Sequence, residues 1–198
     1  MVDLRKLGIK CEAEWIFDKF KDPTGVVADA LGKGAVMDAV KRHVNDGMWD
    51  GPRFIGREIA SGLEFQSEEV AFGNLGLNEG LGELIDLIAG LGTPSAWNAA
   101  NAYIGVGNSN TAAQATDTDL IGASKLYKAM DGSYPARAAQ TMKHRSTFGT
   151  SDANWAWEEY TLSNTSSGTG KNLQRKVESK GTKASGETWT LEIQNTFS

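Results

Sequence analysis

The chain has a single cysteine, Cys11, in 198 residues. That excludes an internal disulfide and a cysteine zinc site. It has two histidines, His43 and His144, and neither has a carboxylate or thiol at ligand spacing. Both read as surface histidines. Prolines number four. No run approaches the ~18 apolar residues that would cross a membrane. Asp3, Arg5 and Lys6 lie within the first ten residues and no apolar stretch follows, so no signal peptide is expected. The largest gap is in charge. Residues 61–122 contain no lysine or arginine but eight carboxylates. Such a stretch favours a basic partner surface or a bound cation, unless it is mostly buried or loop.

Glycine, by contrast, is abundant. Its 23 residues are about 12% of the chain, against a usual ~7%. With so few prolines, the excess points to many turns rather than to low complexity. Hydrophobic residues make up 40% and charged residues 23%, enough for one packed domain and too apolar for a disordered chain. The net charge is −5, which disfavours coating a nucleic acid.

Periodicity divides the chain into a mixed first third and a strand-rich remainder. Residues 9–17 alternate, with Ile9, Cys11, Ala13, Trp15 and Phe17 on one face, which predicts a strand ended by Asp22-Pro23. Residues 24–45 carry apolar side chains at helical spacing. Residues 53–59 and 63–72 read as short strands. Residues 77–89 predict a helix, with Asn78 as its cap, Leu81, Leu84, Ile85 and Ile88 as its apolar stripe, and Gly90 as its stop. Strands then follow at 103–106, 125–130, 141–148, 155–162, 173–179 and 188–197. In the last, Trp189, Leu191, Ile193 and Phe197 share a face. Strands at this spacing predict a mainly β, α+β chain: an antiparallel β-sandwich with one or two helices from its N-terminal half. The expected division is a 1–60 arm or subdomain and a 61–198 sandwich.

Residue patterns that carry chemistry are few. Gly105-Val106-Gly107 lacks the third glycine and the helix of a dinucleotide loop, and reads as a strand end. Cys11 reads as a small core residue. Adjacent carboxylates at Glu68-Glu69 and Glu158-Glu159 would point to opposite faces of a strand and make no glycosidase pair. Asp117 and Asp119 share a face and form a weak Ca²⁺ candidate, although a solvated loop or cap is the plainer reading. Trp155 and Trp157 share a strand face, with Tyr160 on the other; they suit a core or subunit interface, or else stacking on a sugar. No catalytic residue and no cofactor are expected.

The segments NEGLGELIDLIAG, IGVG followed by TDTDL, ANWAWEEYTLSN and GTKASGETWTLEI occur in that order. Over about residues 70–198 the chain resembles a family of small structural proteins of tailed bacteriophages and prophages. That resemblance implies a non-enzymatic virion subunit of decoration, head-fibre, collar or tail-tip type, assembled in the host cytoplasm. Its implied partners are copies of itself and other head, neck or tail proteins, with neither nucleic acid nor membrane. The alternative is a carbohydrate-binding module recognising a host-surface glycan through Trp155, Trp157 and Tyr160. A hydrolase using Asp117 and Asp119 with a metal is a third, weaker reading.

Overall fold

The computed structural model describes residues 11–21, 49–50, 53–54, 58–59, 63–167 and 169–197. The helical pattern at 24–45, His43, and the loop stretches between the short strands of 49–59 lie outside these residues.

Two antiparallel sheets face one another. The first has six strands in the order β4 (Glu58–Ile59), β5 (Leu63–Phe72), β1 (Cys11–Lys21), β13 (Glu187–Phe197), β10 (Thr141–Phe148) and β9 (Ala136–Ala138). The second has five: β6 (Leu75–Gly76), β12 (Asn172–Val177), β11 (Glu159–Ser163), β7 (Tyr103–Gly107) and β8 (Lys125–Ala129). Strands β2 (Trp49–Asp50) and β3 (Arg53–Phe54) pair by themselves. One helix, α1 (Asn78–Ala89), is described. The expected β-sandwich with a helix is therefore present.

Alternation builds the core. Trp15 stands opposite Ile193 and Phe17 opposite Leu191, while Phe148 pairs with Trp189. All six side chains are buried. They meet Ile104, Val106, Tyr160 and Leu162 from the second sheet. The aromatic centre packs edge to face: the Trp157 ring lies 4.8 Å from Phe148 and 4.9 Å from Trp189. Such pairs add to plain area burial.

Several expectations need correction. The boundary at residue 60 does not hold, because β1 is an interior strand bonded to both β5 and β13. Residues 11–21 thus belong to the sandwich, and their alternation places Ala13, Trp15 and Phe17 on its core side. Asn78 does not cap α1. Leu77 occupies the cap position without a side-chain bond, and Gly90 ends the helix at φ 65°. The apolar stripe is only partly buried: Leu84 packs on the core, while Ile85 is exposed and Ile88 is 80% exposed. The buried residue of the helix is Gly80, where a Cβ would sit 2.3 Å from the Asn172 carbonyl oxygen. At Gly80 the helix comes against the β12 backbone, which leaves no room for a side chain there. Strand 155–162 begins later, at Glu159, since only Ala156 bridges, to Thr182.

Candidate functional site

The outer face of the five-stranded sheet carries a set of buried and half-buried ion pairs. Glu159 and Arg175 sit on neighbouring strands with side chains fully buried. Arg175 Nε donates to Glu159 Oε2 at 2.8 Å, its Nη1 to Asp117 Oδ2 at 2.9 Å, and its Nη2 to the Thr111 carbonyl at 2.9 Å. Glu159 also accepts backbone N–H bonds from Gly122 at 2.6 Å and Ile121 at 3.1 Å. Together the two residues bind the 108–124 connection to the sheet. Asn108 Oδ1 closes that connection by accepting from Ser124 N at 3.0 Å. Multiple charge-assisted bonds of this kind offset the burial of the ions.

This geometry explains the glycines of strand β7. A Cβ on Gly107 would lie 2.5 Å from Glu159 Oε1, and one on Gly105 would lie 2.7 Å from the Tyr127 ring. Both glycines lie within the strand and leave room for side chains crossing over it.

The two aspartates of the Ca²⁺ candidate do not form one ligand set. Asp117 is held by Arg175, whereas Asp119 accepts from Lys125 Nζ and Tyr127 Oη and from Leu120 N at 2.7 Å. Burial, then the Asp119 bond, raises the Tyr127 hydroxyl well above its usual range. No group of three metal-ligating side chains occurs among the described residues.

The aromatic trio is corrected as well. Trp157 and Tyr160 are both buried in the core, their rings 6.2 Å apart, instead of lying on opposite faces. Trp157 Nε1 donates to the Ala153 carbonyl and Tyr160 Oη to the Trp157 carbonyl, each at 2.9 Å. Trp155 is half-buried against the same core. A three-ring sugar platform is therefore not available. The segment leaves strand geometry at Trp157, and so the two-residue alternation that separated the rings does not apply.

His144 is also corrected, from surface to core. It faces Ile193 across β10 and β13, and its Nε2–H donates to the Trp97 carbonyl at 3.0 Å. Burial pushes its pKa down, opposed by that bond. Its charged neighbours Lys143 and Arg145 mark the opposite face of the strand, which period-two geometry requires.

Three features escaped sequence reasoning. Lys183 is fully buried, donating at 2.7 Å to the Gly149 carbonyl and to Asn154 Oδ1. Burial lowers its pKa to about 8. The short strands β2, β6 and β9 were also missed, as was the buried Glu159–Arg175 pair. The only sequence signal for that pair was a charge of each sign inside apolar-flanked strands.

Four of the eight carboxylates of residues 61–122 are matched by cations from elsewhere in the chain. Glu69 pairs with Lys19 at 2.5 Å, Glu79 lies 3.8 Å from Lys171, Asp117 pairs with Arg175 and Asp119 with Lys125. Glu83 accepts the Ser95 N–H at 2.6 Å. Glu68, Glu83 and Asp86 have no cation partner among the described residues. Glu68 is only half-buried, and its pKa rises to about 7 through burial, then through the charges of Asp18 and Glu14.

The fold and these contacts define the chain as an antiparallel β-sandwich with a clamped loop over one sheet. No family model, no curated protein and no solved structure matches it.

Proposed function

We propose that this chain is a non-enzymatic virion structural subunit of a tailed bacteriophage, repeated in the particle and held by protein–protein contacts. The observation that carries this reading is the use made of the charged residues in the phage-like segments. Asp117, Asp119, Lys125, Glu159, Arg175 and Lys183 are each bonded to a neighbouring loop or strand. They rigidify a scaffold instead of converging on a substrate-sized space. A repeated subunit benefits from such rigidity, since each weak contact is multiplied by symmetry.

Mass spectrometry of purified, washed virions from cells carrying the gene tests the proposal. The chain is expected in the particle at a copy number matching a symmetric ring or shell. Its absence from washed particles overturns the reading. Dissection into head, neck and tail fractions then assigns its place.

A further inference from the structure

Lys183 carries its amine inside the protein. The residue is fully buried, and Nζ donates at 2.7 Å to two neutral oxygens, the Gly149 carbonyl and Asn154 Oδ1. Neither oxygen bears a charge to offset the ammonium, and a buried charge set among neutral acceptors is costly. Burial, opposed by the charges of Asp152 and then Glu187, lowers the Lys183 pKa to about 8. About half of the side chain is then free amine at pH 8.

Backbone bonds hold the pair in register. Lys183 N donates to the Trp155 carbonyl at 3.1 Å, Trp157 N to the Gly181 carbonyl at 2.9 Å, and Lys180 N to the Trp157 carbonyl at 2.9 Å. Residues 180–183 therefore run beside 155–157, and Asn154 stands at the end of that ladder. The turn at 149–154 is folded around the amine. Asp152 Oδ2 accepts from Gly149 N at 2.9 Å and from Lys128 Nζ. Asn154 Nδ2 donates to the Thr150 carbonyl at 2.8 Å, which directs the amide nitrogen away from the amine and the amide oxygen towards it. Ala153, just before Asn154, is held at φ 50°, a left-handed conformation that costs an alanine free energy.

With Oδ1 at 2.7 Å, and a C=O bond of about 1.2 Å, Nζ lies within about 4 Å of Asn154 Cγ. That is near the separation from which an amine adds to a carbonyl carbon. Lys183 is buried while Asn154 is exposed, so the nucleophile is shielded and the leaving nitrogen has a way out.

We infer that Lys183 and Asn154 join in an intramolecular isopeptide bond. The ammonium first gives a proton to water through Asp152, the carboxylate whose charge acts most strongly on it. The amine adds to Cγ; the Nζ–Cγ bond forms and the Cγ–Nδ2 bond breaks. A proton of the attacking nitrogen passes to Nδ2, which leaves as ammonia. No oxidant and no cofactor is consumed. The product is a neutral amide where a buried charge stood. It ties the β10–β11 connection to the β12–β13 connection across 29 residues, and so fastens one sheet to the other. A cross-link of that span restricts the unfolded chain. The bond is independent of the structural-subunit reading.

Intact-mass spectrometry of the full chain, incubated overnight at pH 8 and then denatured, reads the bond directly. The parent is expected to be lighter than its sequence by one ammonia, about 17 Da. Trypsin should leave residues 146–171 joined to 181–198, uncut after Lys183. Asn154→Ala and Lys183→Met should each show the full mass of their own sequences, and the exposed position of Asn154 makes its variant the one expected to fold unchanged. Asp152→Asn should hold a smaller light fraction than the parent at equal times. Full mass in the parent overturns the bond, as does ordinary tryptic cleavage after Lys183. A loss of about 17 Da that persists in Lys183→Met marks a cyclic imide at an asparagine and also overturns it. Formation at the parent's rate in Asp152→Asn overturns the relay.

Discussion

Arg175 on β12 reaches diagonally to Glu159 on β11, with neither side chain exposed and 2.7 Å between Nη2 and Oε2. The same two residues hold Thr111, Asp117, Ile121 and Gly122. Removing one partner strands the other. Glu159→Gln should therefore cost about 3 kcal/mol, in the range for a broken buried pair. Adjacent Glu158, bonded at the surface to Ser179 Oγ, should tolerate Gln within about 0.5 kcal/mol. Urea denaturation of the two variants checks the contrast, and equal midpoints would contradict the clamp.

Helix α1 offers a reversal of sign between two glycines. Ala replaces Gly in an exposed helix interior with a gain of about 1 kcal/mol. Gly82 has open space around it, so Gly82→Ala should raise the melting temperature. At Gly80 the new Cβ would sit 2.3 Å from a backbone oxygen of Asn172 and 2.4 Å from Leu173 Cα. Neither atom can swing aside, and Gly80→Ala should lower the melting temperature. Two stabilised variants would refute the close helix–strand approach.

Stability at the outer face should depend on pH in a defined direction. Burial raises Asp18 to about 6, and burial together with Asp18 and Glu14 raises Glu68 to about 7. Native carboxyls with raised pKa bind protons more tightly than the unfolded chain does. Their ionisation therefore costs stability above pH 7, and the cost vanishes as pH falls towards the unfolded values near 4. Glu68→Gln should melt higher than the parent at pH 8 and level with it by about pH 4.5. A difference that is constant across this range would show that Glu68 is not perturbed.

Both ends of the described chain should be indispensable. Strand β13 lies between β1 and β10, and β1 lies between β13 and β5. Deleting the last ten residues, or the first 21, removes an interior strand that bears Trp189 and Leu191, or Trp15 and Phe17. Each deletion is expected to abolish soluble expression. A soluble product with cooperative melting would show that the sheet closes without that strand.

Much of this fold was legible because alternation is a local signal. Strands β5 and β10 occupy the residues the pattern assigned, and β7, β8, β12 and β13 differ by a residue or two at their ends. The glycine-bounded helix was equally plain. The period of apolar residues reports which face of an element meets a core, and it does so without knowledge of the partner.

What the pattern could not supply was the identity of each partner. His144 looked exposed between Lys143 and Arg145, yet the sheet turns it inward and turns them outward. Asp117 and Asp119 looked like companions two residues apart, but Arg175 and Lys125, distant in sequence, claim them separately. The cation-free stretch from 61 to 122 suggested a uniformly negative region. Folding brings Lys19, Lys125, Lys171 and Arg175 against half of its carboxylates, and among the described residues leaves Glu68, Glu83 and Asp86 without a cation. Sequence determined the strands and the apolar side of each, because those depend on neighbours two residues away. Only the tertiary structure decided which charges are neutralised, because Coulombic pairing acts through space between strands that the chain order keeps apart.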